Sequence, residues 1–173
     1  MFSLCSYSKG VDGESRKEKI MARTELVENL NKALSMELAA VIQYSQHSYL
    51  VTGQEREIFK GWFRGQAAEA QAHAETLGDK IVALGGVPTV EPHTIRQSID
   101  VTEMLQQGLE LEREAMSAYM AAWAACDEQD LPQQFWLEER IADEQLHIEE
   151  LEKLTNERAS KIDSNTIVLK AVG

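Results

Sequence analysis

Apolar residues recur every three to four positions along four long stretches of the chain, which is the spacing of one helix face. Ala, Leu, Glu and Gln are abundant in these stretches, whereas Gly and Pro are rare inside them, as stable helices require. The predicted helices run from about Thr24 to Val51, Glu55 to Leu84, Ile95 to Cys126 and Pro132 to Ser160, with Thr24 as an N-cap and Pro132 in a first turn. The pattern therefore predicts an all-α fold.

The lengths of the three loops predict how these helices are connected. The first and third loops are short, so each joins two antiparallel helices into a hairpin. The second passes through Gly85, Gly86 and Pro88 and is long enough to run along the bundle as a crossover. A helix of about 28 residues extends roughly 42 Å, which is usual for a four-helix bundle. We expect residues 23–160 to form the bundle, residues 1–22 to be a disordered extension, and residues 161–173 to form a short C-terminal tail.

The chain repeats one pattern of residue types in its first and third helices. Two sets of five positions share the types and the spacing: Leu30, Leu34, Glu37, Ala40 and Tyr44, and Leu105, Leu109, Glu112, Ala115 and Tyr119. The second and fourth helices carry a matching pair of segments centred on His73 and His147. Two similar hairpins packed about a pseudo-twofold axis would bring equivalent side chains to opposite sides of one centre.

Five polar residues on the predicted inner faces are candidate metal ligands. Glu144 and His147 lie three residues apart on the fourth helix, so both point from one face toward one position. Glu37, His73 and Glu112 lie one on each of the other helices. A buried carboxylate must be protonated, paired with a cation or bound to a metal. A buried salt bridge or a shared proton explains any single glutamate equally well, but the set favours a two-metal site for iron, with manganese as the alternative.

The second helix departs from this symmetry. A symmetric site would have a glutamate three residues before each histidine, but Ala70 stands three residues before His73. Glu69 lies on a neighbouring face and is the substitute ligand that we predict, particularly if the helix contains a one-residue bulge. Without Glu69, one metal ion would be held more weakly.

Two tyrosines are candidates for a supporting role at this site. Tyr44 and Tyr119 lie two helical turns beyond Glu37 and Glu112, so each hydroxyl can reach a ligand carboxylate of a neighbouring helix and orient it. An ordinary amphipathic tyrosine between core and boundary is an equally good interpretation.

Charge and composition narrow the classes of partner. Acidic residues outnumber basic residues 29 to 17, and the net charge of −12 argues against binding to nucleic acid. Solubility explains this charge better than attraction of Fe²⁺ does. The longest apolar stretch is too short to cross a membrane, and the first 20 residues lack the apolar centre of a secretory signal. Cys5 and Cys126 fit neither a disulfide framework nor a metal knuckle, and we expect a cytoplasmic protein.

Between about Leu26 and Leu154 the chain resembles the ferritin-like superfamily, and bacterioferritin most closely. The similar segments include residues 31–38, 43–44, 73–74, 84–88, 111–112 and 143–148. The resemblance implies a ferritin-like four-helix bundle with a ferroxidase centre, at which two Fe²⁺ per chain are oxidised by O₂ or H₂O₂ for iron storage or detoxification. It also implies that the three glutamates are terminal or bridging ligands, that each histidine binds one iron, and that the protein is a homo-oligomer.

Besides Ala70, two departures from bacterioferritin limit what the resemblance implies. Gln71 stands where bacterioferritin has its methionine haem ligand, so we expect no haem at that position. The short tail after the fourth helix looks extended, which argues against a cage of 24 subunits.

One alternative function is a non-storing di-iron enzyme, similar to rubrerythrin-like peroxidases or oxidases, with an external electron donor. Another is a structural bundle whose site has decayed. We assign His47 and His93 to the surface.

Overall fold

Four helices account for most of the chain that the computed structural model describes, residues 9–127 and 129–155. They are α1 (Lys9–Leu50), α2 (Arg56–Ala83), α3 (Val101–Ala124) and α4 (Leu131–Leu154). Helix α1 packs against α2 and α3, and α3 packs against α4. The described ranges contain no strand, which confirms the predicted all-α fold. The order and packing of the helices confirm the predicted bundle of two hairpins joined by a crossover. No helix in these ranges is both long enough and apolar enough to span a bilayer.

The start of α1 differs from the prediction. The helix begins at Lys9, and Thr24 lies inside it, where its hydroxyl donates a hydrogen bond to the carbonyl of Ile20 at 2.9 Å. A threonine that bonds the carbonyl four residues earlier does not cap a helix, so the predicted N-cap is wrong. Residues 9–22, which we expected to be disordered, are helical, whereas residues 1–8 lie outside the described part of the chain.

Local capping chemistry sets the end of α2 and the start of α3. Gly85 adopts φ +77° after α2, and the amides of Gly85 and Gly86 bond the carbonyls of Val82 and Ile81, which is a Schellman motif. Helix α3 begins at Val101 instead of Ile95 because the Asp100 side chain caps it by accepting a hydrogen bond from the amide of Glu103.

Helix α4 begins close to its predicted start and ends before its predicted end. Asp130 is its N-cap, and Pro132 lies in the first turn as predicted. The helix ends at Leu154, short of the predicted Ser160. The predicted C-terminal tail, residues 161–173, lies outside the described residues.

A series of hydrogen bonds holds the crossover between α2 and α3 against α1. These bonds involve four α1 side chains, Asn31, Ser35, Gln43 and Gln46, and they reach crossover residues between Val87 and Gln97. Because each bond lies further along both segments, the crossover runs parallel to α1. This arrangement carries the chain back to the other end of the bundle.

A polar layer interrupts the apolar core. One apolar cluster includes Phe63 and Leu109, and the other includes Leu30 and Leu137. Along each helix, a buried polar side chain lies at the point where one cluster ends and the other begins. These side chains are Glu37, His73, Glu112 and Glu144.

Candidate metal centre

All four helices contribute to a cluster of five side chains in the polar layer, here called the carboxylate–histidine cluster. It consists of Glu37 from α1, His73 from α2, Glu112 from α3, and Glu144 and His147 from α4. The side chain of Glu144 is 1% exposed, and the other four are 15% exposed or less. The structure therefore brings together the five residues that the sequence pattern selected.

One half of the cluster combines Glu37, His73 and Glu144. The Nδ1 atom of His73 lies 3.3 Å from Oε1 of Glu37 and 3.8 Å from Oε1 of Glu144. One donor atom from each residue lies within 4.8 Å of the other two, which is close enough for all three to bind the same ion. These atoms define the first candidate metal position.

The other half combines Glu112, Glu144 and His147. The Nδ1 atom of His147 lies 3.7 Å from Oε2 of Glu112, and the same 4.8 Å limit holds for this group. The His73 and His147 rings stack across the centre with centroids 6.0 Å apart and planes 19° apart. Because Glu144 belongs to both groups, its carboxylate is placed to bridge two ions.

Two of the three glutamates in the cluster each accept a hydrogen bond from a tyrosine of the opposite hairpin. The Tyr44 hydroxyl on α1 donates to Oε1 of Glu112 on α3 at 2.5 Å. The Tyr119 hydroxyl on α3 donates to Oε1 of Glu37 on α1 at 2.8 Å. Both tyrosines are fully buried. These bonds are the geometry that the orienting role requires, because each one fixes the orientation of a carboxylate at the centre.

Electrostatic interactions in the cluster favour protons on specific groups. Burial, followed by the carboxylates of Glu112 and Glu37, raises the pKa of Glu144 well above its usual value. Burial alone would raise the pKa of Glu112, but hydrogen bonds with His147, Glu144 and Tyr44 lower it. Burial likewise works against the charged form of His147, yet hydrogen bonding with Glu112 raises its pKa from 6.5 to about 9. Burial raises the pKa of Tyr44 and of Tyr119 well above 10, so both hydroxyls stay protonated as donors.

The donor set fits a pair of divalent ions of the iron or manganese class. It offers carboxylate oxygens and imidazole nitrogens and no thiolate, which suits these metals. The Oε2 atom of Glu144 is buried and has no hydrogen-bond partner among the described residues. A buried carboxylate oxygen without a partner is costly, and a metal ion would satisfy it.

Glu69 lies at the rim of the cluster. Its side chain is 48% exposed, its Oε1 lies 3.3 Å from Nε2 of His147, and it belongs to neither three-residue group. Helix α2 is a regular α-helix through this region, so the one-residue bulge that we considered is absent there, and Ala70 is buried. The geometry matches a carboxylate that accepts the second ring N–H of a metal-binding histidine. Its role as a ligand stays a prediction.

Three other sequence-based assignments are placed by the structure. His47 is fully buried, so its assignment to the surface is wrong, whereas His93 is partly exposed. The Gln71 amide bonds Glu75 on the outside of α2. Sequence reasoning missed Gly108 on α3, which is buried against Tyr44. A glycine inside a strongly periodic helix was the signal that could have identified it.

Comparisons with known proteins agree with this architecture. The family model described as the ferritin-like domain matches residues 27–159. Bacterioferritin from Streptomyces coelicolor is 32% identical over 136 residues, covering 74% of this chain and 78% of the relative. Bacterioferritin from Brucella melitensis is 33% identical over 132 residues, covering 74% and 81%.

Solved structures show the same similarity. A structure described as ferritin-like, diiron-carboxylate proteins from Bacillus anthracis superposes with a TM-score of 0.74 at 35% identity, covering 78% of this chain and 97% of that one. The dodecameric thioferritin of Bacteroides fragilis, a bacterioferritin-related protein, superposes with a TM-score of 0.70 at 24% identity, covering 84% and 92%. The second similarity supports the fold alone.

Proposed function

The chain belongs to the ferritin-like family, whose members bind iron, and on that premise we propose that it is a ferroxidase. Two Fe²⁺ ions bind as substrate at the carboxylate–histidine cluster and are oxidised to Fe³⁺ by O₂ or H₂O₂. The purpose of the reaction is iron storage or detoxification. The observation that supports this most is the position of Glu144, a buried carboxylate shared by two three-residue groups.

The side chains divide the work of binding two ions. Glu37 and His73 serve one ion, Glu112 and His147 serve the other, and Glu144 bridges them. Tyr44 holds the outer oxygen of Glu112, and Tyr119 holds the oxygen of Glu37 that also lies beside His73. The protons on Glu144 and His147 must leave when the ions bind, because metal ligands bind in their deprotonated forms. We therefore propose that loading releases protons from the buried site.

Electron balance sets the stoichiometry of the reaction. Two Fe²⁺ supply two electrons, which with two protons reduce one H₂O₂ to two waters or one O₂ to H₂O₂.

Mn²⁺ favours the same donor types as iron, so it is the alternative metal. Metal analysis of the purified protein distinguishes the two.

We further propose that the protein is a homo-oligomer. Several large apolar side chains are exposed on the outside of the bundle, which is typical of surfaces that pack against another subunit. They include Tyr49, Ile58, Phe135 and Leu146. Light scattering after size-exclusion chromatography measures the number of chains; a monomer at micromolar concentration contradicts this part of the proposal.

The proposed function is tested by iron loading. Chelator-stripped protein is mixed with excess Fe²⁺ in air, separated by size, and analysed for iron per chain. Many ions per chain in a large particle support storage. About two per chain in a small oligomer indicate a non-storing di-iron enzyme. No retained iron and no accelerated oxidation refute the proposal and favour a structural bundle.

The site assignment has its own test. Glu144→Ala removes the shared ligand and is expected to abolish rapid Fe²⁺ oxidation, while circular dichroism still shows the helices. Glu139→Gln, on the exposed side of the same helix, is the control and should oxidise Fe²⁺ normally. Normal oxidation by Glu144→Ala contradicts the assignment.

A further inference from the structure

Gly108 is a buried glycine in the interior of α3, one turn before Glu112. A Cβ atom at this position would lie 2.9 Å from the hydroxyl oxygen of Tyr44 and 3.2 Å from its Cε1. Glycine destabilises a helix interior relative to alanine. Helix formation therefore does not explain the residue, but space for Tyr44 does.

Tyr44 has little freedom to move away from a larger side chain. Its ring contacts Trp62 edge-on, with centroids 6.1 Å apart, and stacks on Phe63 with the same separation. Its hydroxyl is also held at 2.5 Å from Glu112. In a close-packed interior, an added methyl group forces a neighbour to shift. The atom closest to the added methyl group is the oxygen that holds the metal ligand.

The internal repeat provides a comparison within the same molecule. The register that aligns Leu34 with Leu109 aligns Ala33 with Gly108, and Ala33 is also fully buried. The half of the site with alanine has a Tyr119 to Glu37 hydrogen bond of 2.8 Å. The half with glycine has the shorter bond, and the two halves therefore differ at this position.

The two carboxylates also present their oxygens differently. At Glu112, Tyr44 occupies Oε1, and the other oxygen, Oε2, faces His147. At Glu37, the same atom, Oε1, accepts from Tyr119 and lies 3.3 Å from His73. Tyr44 thus leaves the second oxygen of Glu112 to face His147. By contrast, Tyr119 and His73 contact the same oxygen of Glu37.

We propose that Gly108 is a positioning residue whose missing side chain lets Tyr44 hold Oε1 of Glu112, so that Oε2 faces the metal position next to His147. The inference rests on the proposed function, because it concerns the same site. It assigns Gly108 to one of the two metal positions and makes the two positions unequal. It also gives a specific task to a residue that touches no ion.

The test is an anaerobic calorimetric titration with Co²⁺, which accepts oxygen and nitrogen donors and reports binding without oxidation. We expect Gly108→Ala to weaken one of the two binding steps by about tenfold or more and to leave the other within about twofold. Gly65→Ala is the matched control, because a Cβ there meets nothing within 4 Å; both steps should be unchanged.

A double substitution separates positioning from general damage to the fold. Tyr44→Phe removes the hydroxyl that alanine at position 108 would meet at 2.9 Å. We expect Tyr44→Phe to weaken the same binding step, and Gly108→Ala to add little further weakening in that background. This comparison remains decisive if Gly108→Ala alone fails to fold, because the double variant lacks the closest contact.

Several results would overturn the inference. These are unchanged binding in Gly108→Ala, equal weakening of both steps, no effect of Tyr44→Phe, or additive losses in the double variant. The proposed function fails separately: wild-type protein that binds two Co²⁺ but does not accelerate Fe²⁺ oxidation contradicts the ferroxidase and leaves the role of Gly108 intact.

Discussion

Replacing Glu144 with glutamine should separate the stability of the bundle from its affinity for metal. Burial and the neighbouring carboxylates raise the pKa of Glu144 well above its usual value, so we expect the stripped protein to hold this group protonated at pH 7. A neutral glutamine has nearly the shape of a protonated glutamate. We therefore expect Glu144→Gln to change the unfolding free energy of stripped protein by less than about 1 kcal/mol.

The effect on the loaded protein should be much larger. An ion present at one hundred times its Kd stabilises a folded protein by about 2.7 kcal/mol, so two independent ions contribute about 5 kcal/mol. For a chain of this size, that stabilisation raises Tm by about 10–20 °C. Since Glu144 belongs to both groups of ligands, its replacement should remove most of this rise.

The assay is differential scanning calorimetry under argon, with and without Fe²⁺, on wild-type protein and two variants. Glu139→Gln makes the same chemical change on the same helix, at a side chain that is 67% exposed, and should keep the full rise in Tm. A full rise in Glu144→Gln would refute the shared-ligand assignment. A large loss of stability in the stripped variant would refute the protonated state of Glu144.

Three further predictions follow from individual groups. Stripped protein should lose stability as pH rises from 6.5 through about 9, because a histidine whose pKa is raised on folding stabilises the fold only while it is protonated. Urea unfolding at several pH values should show this slope, and His147→Gln should reduce it. Glu69→Ala should weaken one Co²⁺ binding step, and Glu69→Gln, which keeps an acceptor oxygen, should restore binding if the residue orients His147 but not if it is a ligand. Burial raises the pKa of Cys126 to about 11, so in a Cys5→Ser background its thiol should react with a disulfide reagent at pH 8 far more slowly than free cysteine; an equal rate would contradict the shift.

The internal repeat explains why the site could be predicted from sequence. Glu37 and Glu112 stand at equivalent positions of two similar segments, and each has apolar neighbours at helical spacing. Periodicity therefore indicated the direction in which each side chain points. The repeat then indicated that both point at one centre.

Helix ends were harder to predict because they depend on contacts that are distant in sequence. Ile95 continues an apolar pattern, but the amide of Arg96 bonds the side chain of Gln43 on α1, and the helix begins only after Asp100. The assignment of His47 to the surface is wrong because its ring packs beside Phe63, with ring centroids 5.3 Å apart. Both contacts join different segments of the chain, so the pattern within a single helix does not predict them.

Each hairpin contributes the tyrosine that bonds a glutamate of the other hairpin, so the complete site forms only after the two hairpins have docked. The hairpin of α1 and α2 holds Glu37 and His73 but lacks the hydroxyl of Tyr119 that fixes Glu37, and the second hairpin depends in the same way on Tyr44. Neither hairpin alone contains both candidate metal positions, because the first lacks Glu144 and the second lacks Glu37 and His73. A newly synthesised chain whose hairpins have not yet docked therefore lacks the complete carboxylate–histidine cluster, and under the proposed function it could not yet oxidise iron at two positions.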